Sequence, residues 1–92
     1  LNEKTTMKKY GLTRKQYMFA KTVLPKFLER EYLTMSDIMK FFPDRAYSTI
    51  YFRVKRLVEK GLIRQKKNIK AYELTSLGKK FLKEVLGQGG SL

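Results

Sequence analysis

The chain contains no cysteine, no histidine and no tryptophan. Without cysteine it has no disulfide, no thiolate metal site and no thiol chemistry. Without histidine it lacks the commonest transition-metal ligand and the usual general base. Acidic residues are scarce, eight against 21 lysines and arginines, and none pairs into a recognisable catalytic motif. No glycine-rich phosphate loop is present. An enzyme is therefore not expected, no cofactor is implied, and a redox or metal sensor lacks its ligands. No apolar run approaches the ~20 residues that a membrane span needs, and no signal-peptide h-region opens the chain. The expectation is a soluble intracellular protein, cytoplasmic, with no membrane partner.

What the chain has in excess is positive charge. Its 92 residues make one domain, and they carry a net charge of +13. Such a balance bears on partners more than on fold, and it points to polyanions. The charge is uneven. Residues 1–26 sum to +6, 27–43 to −1, 44–70 to +7 and 71–92 to +1. A solubilising coat of lysine would be spread more evenly, so nucleic acid is the expected partner.

Residues 1–11, polar and basic with little periodicity, read as a flexible arm. Thr13 and Gln16 form a capping box for a first helix, with Leu12 and Tyr17 as a hydrophobic staple. Tyr17, Phe19, Ala20, Val23, Leu24, Phe27 and Leu28 follow at roughly helical spacing. Pro25 predicts a kink or break. Tyr32–Thr34 reads as a short extended piece, and Thr34 or Ser36 caps a second helix, MSDIMKFF, that Pro43 ends. Asp44 or Ala46 starts the third helix, in which Ile50, Val54, Leu57 and Val58 form an inward stripe. Gly61 is the expected left-handed terminator. Residues 62–65 and 71–74 read as paired strands around a Lys66–Lys70 turn. Thr75 caps a fourth helix, and 87–92 reads as a flexible tail.

Three segments, in order, resemble the winged helix-turn-helix family over residues 12–86, especially its small MarR- and PadR-like prokaryotic regulators. Leu33-Thr34-Met35-Ser36-Asp37-Ile38 looks like the family's opening of helix two. Ser48-Thr49-Ile50 with Val54-Lys55-Arg56-Leu57-Val58-Glu59-Lys60-Gly61-Leu62-Ile63 looks like its recognition helix and following strand. Tyr72-Glu73-Leu74-Thr75-Ser76-Leu77-Gly78 looks like the close of its wing. The resemblance implies a mainly α fold with a small β-hairpin wing, in the order helix-strand-helix-helix-strand-strand-helix.

It also implies sequence-specific binding of double-stranded DNA by a transcriptional regulator, most simply a repressor. Helix three, about 45–60, would enter the major groove, whose width admits one helix. Its outward residues would be Arg45, Tyr47, Ser48, Thr49, Phe52, Arg53 and Arg56. Arg53 is the best placed for a bidentate guanine contact, and an outward aromatic for a thymine methyl. Tyr51 is expected to pack under the first helix or the wing, and Phe52 either packs there or faces the DNA. Arg64, Lys66, Lys67, Asn68 and Lys70 form the wing, either gripping backbone or minor groove or standing as a solvated turn. Lys8, Lys9, Arg14 and Lys15 either touch flanking phosphates or belong to a solvated arm. A homodimer would read two half-sites. Tyr17, Phe19, Val23, Phe27, Phe81, Leu82 and Val85 are its candidate interface, unless core packing absorbs them. An aromatic cleft between subunits could admit a small-molecule effector, though no convergent polar group marks one.

Two other classes compete. A replication, partition or architectural protein would bind duplex DNA without regulating transcription, a difference fold alone does not decide. An RNA-binding or protein-docking winged helix would bind duplex DNA weakly and with a shallow salt dependence.

Overall fold

The computed structural model describes residues 2–88. It begins with a helix where a flexible arm is expected. Helix α1 spans Glu3–Tyr10, and Asn2 caps it by accepting from the Thr5 amide. Gly11, at φ 67°, ends it in the left-handed conformation, and the Leu12 amide reaches back to the Met7 carbonyl. That double-ended capping is one reason the arm folds. The other is packing: Thr6 and Tyr10 are buried, and the Tyr10 ring meets Phe81 edge-on at 5.2 Å. The Tyr10 hydroxyl donates to Glu84 at 2.7 Å, and Lys9 pairs with the same carboxylate at 3.0 Å. The 1–11 arm is thus corrected to a docked helix.

Helix α2, Arg14–Val23, carries the expected Thr13–Gln16 capping box. At Pro25 the missing amide breaks the helical ladder, and the chain tightens into a 3-10 turn over Leu24–Leu28 that still buries Leu24 and Phe27. Strand β1 is Leu33–Thr34, and Thr34 then caps α3, Met35–Met39, in a second capping box with Asp37. The Thr34 amide above all holds the Asp37 carboxyl below its usual range. Helix α3 stops three residues short of the expected Phe42. Helix α4 is Tyr47–Glu59 with Ala46 as its cap residue, so Asp44 lies before it and no side chain caps it.

Gly61, at φ 79°, reverses the chain out of α4 into β2, Ile63–Gln65. Strand β3, Ala71–Leu74, lies between β1 and β2, both antiparallel to it. The register sets Leu33 and Gln65 beside Tyr72, and Arg64 beside Glu73. Helix α5, Ser76–Gln88, starts at Thr75, whose Oγ1 accepts from the Gly78 amide and lies 2.6 Å from the Gly61 carbonyl it donates to. Gly78 is required here by close approach: a Cβ would lie 2.2 Å from the Leu62 carbonyl oxygen. The helix continues through Gly87 to Gln88, past the expected start of the tail, and 89–92 lie outside the described residues.

One core holds these elements together. Ile50, Val54 and Leu57 of α4 are its floor, as their spacing predicts. Tyr17, Val23 and Phe81 are completely buried in it, and Phe19, Phe27, Leu82 and Val85 nearly so. These seven are the expected dimer interface, and the fold corrects that expectation. The docking of α1 on α5 and the 3-10 turn beside them give this surplus of apolar side chains neighbours within one chain.

Candidate nucleic-acid interface

Burying the Ile50/Val54/Leu57 stripe turns the opposite side of α4 to solvent. Tyr47, Ser48 and Phe52 are exposed there, Arg45 is exposed just before the helix, and Thr49, Arg53 and Arg56 are half-buried along its flank. The Arg56 guanidinium lies over the Phe52 ring, 4.1 Å from its centroid, and donates to Glu59 at 2.7 Å. The first amides of α4 receive no side-chain cap, so that end keeps donors and the positive pole of the helix dipole available.

The fold brings the amino-terminal turn of α2 alongside this flank. Two adjoining grooves of about 500 and 480 Å³ run between the helices, and Lys15 and Arg53 line both. Arg14 and Arg45 line the first, over a floor of Met18, Phe19, Phe42 and Ile50. Thr13, Gln16, Ser48, Thr49, Phe52 and Arg56 line the second. Five cations and several hydroxyls thus converge with no acid among the lining residues. Among the described residues, the ion pairs of these cations are Glu59 with Arg56 and Glu3 at 3.7 Å from Arg14, and neither acid lines the grooves. The spacing of hydroxyl donors and guanidinium forks along an open trough suits a chain of phosphates.

The four expected flanking cations therefore divide. Arg14 and Lys15 line the grooves beside α4. Lys8 and Lys9 lie on α1 and line neither groove, and Lys9 is tied to Glu84, whose carboxyl the Tyr10 and Lys9 hydrogen bonds hold below its usual range.

The wing also divides. Arg64 pairs with Glu73 directly across the register at 2.6 Å, and Lys66 pairs with Glu73 at 3.3 Å and Glu31 at 3.8 Å. The Arg64 hydrogen bond, then that of Lys66, pushes the Glu73 carboxyl below its ordinary range. Lys66 also hydrogen-bonds Ala71 through its amide, closing the hairpin. It is a partly covered base of the wing and not part of its tip. Lys67, Asn68, Ile69 and Lys70 form the exposed tip.

The sequence reading missed several groups. Tyr51 does not pack beneath its neighbours: it is exposed and stacks on Tyr47, with ring centroids 6.0 Å apart and planes 11° from parallel. The Tyr72 phenol, on the wing's central strand, is pushed up by burial and then by the nearby Tyr51 and Tyr47. Their i, i+4 spacing on α4 was the available signal. Thr13 and Gln16 were read as caps alone, yet they also form the groove wall.

Among the described residues, no acidic cluster could hold a metal ion, and no helix is long and apolar enough to cross a membrane.

The family model for the penicillinase repressor matches residues 19–84, which run from within α2 through α4, the wing and most of α5. The match carries the winged-helix regulator class and does not extend to the MarR- and PadR-like branches that the motifs resemble. No curated protein and no solved structure matches the chain.

Proposed function

The chain belongs to the penicillinase repressor family, a family of DNA-binding transcriptional repressors, and we propose how its surface carries that role. Helix α4 lies in the major groove of duplex DNA. The amino-terminal turn of α2 grips the phosphates on one flank through Arg14 and Lys15, and the wing tip grips them on the other through Lys67 and Lys70. Repression follows by occluding a promoter. The observation that carries this reading is the acid-free trough between α2 and α4, where Lys15, Arg53 and Arg56 stand beside Ser48 and Thr49.

Most of the affinity is electrostatic on this reading, since lysine is a point charge that reads little sequence and phosphate contacts release counterions. Specificity falls to the outward side chains of α4. Two copies on one operator would read two half-sites. Because the residues first expected at a dimer interface are buried, pairing would use exposed apolar side chains, of which Leu28, at 62%, is the most exposed among the described residues.

Selection of bound sequences from a random duplex pool tests the reading. It predicts enrichment of a short motif, repeated with two-fold symmetry if the protein pairs, and an affinity that falls steeply with salt. Equal binding to all duplexes would indicate an architectural role, and failure to bind duplex DNA would refute the proposal.

A further inference from the structure

A phosphate grip leaves one feature of α4 unexplained. Phe52 is 53% exposed on the face opposite the buried stripe, and its ring faces the Arg56 guanidinium at 4.1 Å. Glu59, about one turn beyond Arg56, accepts a hydrogen bond from that guanidinium at 2.7 Å. An arginine reaching for a phosphate is better served by freedom of movement. This one is held over the exposed Phe52 ring. Arg53 is placed differently. Like Arg56 it is half-buried and lines the second groove, but among the described residues it makes no ion pair and stacks on no ring, and it also lines the first groove beside Lys15, where a backbone strand would run.

We infer that Phe52 and Arg56 are a preassembled reader of a thymine next to a guanine, and that Arg53, despite its sequence position, grips phosphate. The inference rests on the DNA-binding reading above. The chemistry matches on both sides. In the major groove a thymine presents its C5 methyl, which an aromatic ring covers, and a guanine presents O6 and N7, which a guanidinium fork takes bidentately. The spacing matches as well. The two groups are 4.1 Å apart, on the scale of the ~3.4 Å rise between successive bases, which is compatible with contacts to neighbouring base pairs. Holding the guanidinium against the ring and Glu59 also reduces the rotamer freedom lost on binding, which favours a contact of fixed direction.

The alternative is a helix-surface arrangement that only stabilises α4, as i, i+3 and i, i+4 pairs do. Selection from a random duplex pool with the whole chain separates the two. The unaltered protein should enrich a motif containing a thymine–guanine step. Arg56→Ala should flatten the preference at the guanine by about tenfold or more, and Phe52→Ala should flatten it at the thymine. Arg53→Ala should weaken all duplexes while keeping the motif. Two changes in the DNA test the same contacts with the protein intact. Deoxyuridine at the thymine removes only the methyl, and 7-deazaguanine removes only N7. Each should weaken the unaltered protein several-fold, the first with no further effect on Phe52→Ala and the second with none on Arg56→Ala. A motif without that step, an Arg56→Ala motif identical to the original, or indifference to both base analogues would overturn the inference and leave DNA binding standing. Failure of the unaltered protein to bind any duplex would overturn both readings.

Discussion

Replacing Gly78 by alanine sets two effects of opposite sign against each other. Gly78 is the third residue of α5, and in a helix alanine is favoured over glycine by about 1 kcal/mol. If helix propensity decided the outcome, the variant would be more stable. The close approach of Leu62 opposes it. The added Cβ would sit 2.2 Å from the Leu62 carbonyl oxygen, where ordinary contact begins at 3.4 Å. That oxygen cannot simply move aside, because it accepts from the Thr75 amide at 3.2 Å and faces the Thr75 hydroxyl at 3.0 Å. Relief requires α5 to lift from the start of β2. Overpacking of this kind costs about 1–3 kcal/mol, and each hydrogen bond lost adds about 1 kcal/mol. The clash wins, with a net destabilisation of about 2–4 kcal/mol. For a domain of this size each kcal/mol moves Tm by about 4–8 °C, so thermal unfolding followed by circular dichroism should show a fall of roughly 10–25 °C. Gly87 is the internal control: nothing lies within 4 Å of a Cβ there, so Gly87→Ala should leave Tm unchanged or slightly raised. An equal or higher Tm for Gly78→Ala would refute the close-approach argument.

Other perturbations separate the parts of the charged surface. Lys67→Ala with Lys70→Ala should weaken all duplexes alike and reduce the slope of log affinity against log salt by up to about two. Lys66→Ala should leave that slope nearly unchanged, because Lys66 is held by Glu73 and Glu31; a titration of binding against salt distinguishes these outcomes. Tyr10→Phe removes the hydroxyl that donates to Glu84, so amides of α1 should exchange with deuterium faster while those of α4 keep their protection. Asp37, Glu73 and Glu84 all have carboxyls held below their ordinary range. A depressed folded pKa contributes stability that is whole above the unfolded value, near pH 4, and is lost as pH falls through the folded value. Thermal melts should therefore hold between about pH 7 and 5 and decline below about 4, with a shallower decline for Glu84→Gln.

Much of this architecture was legible where the cause is local. A capping box spans four residues, so Thr13 with Gln16 announces α2, although at the next helix the same rule left Thr34 and Ser36 open. Pro25 and Gly61 act through their own dihedrals, and the Ile50/Val54/Leu57 stripe follows from helical period. Helix α1 was hidden for the opposite reason. Its buried face is a threonine, a tyrosine and a methionine in a lysine-rich stretch, and only the distant Phe81 and Glu84 make it a face at all. Asn2 and Gly11 were its available signals, a cap residue before it and a left-handed terminator after it. The aromatic surplus on α2 suggested a subunit interface because that partner helix could not be seen. Wing pairing was equally out of reach: the Arg64–Glu73 bridge depends on strand register, which a five-residue turn leaves open.

The pairing pattern also changes what the net charge of +13 means. Arg64 and Lys66 share Glu73, Arg56 is held by Glu59, and Lys9 is held by Glu84. Lys15, Arg45, Arg53, Lys67 and Lys70 are among the described cations that hold no ion pair. They fall at the two flanks of α4, around Ser48 and Thr49 on one side and at the wing tip on the other. Exposed ion pairs contribute little to stability, so the acids matter here chiefly for where they withdraw cations from polyanion contact. They tie down Arg64 and Lys66 at the base of the wing and Lys9 on α1, and leave Lys15, Arg45 and Arg53 unpaired along the trough. The unpaired cations of the trough and of the wing tip thus form two separate grips within a broadly basic surface. Between those grips the exposed ridge of α4 is the part left to discriminate among bases.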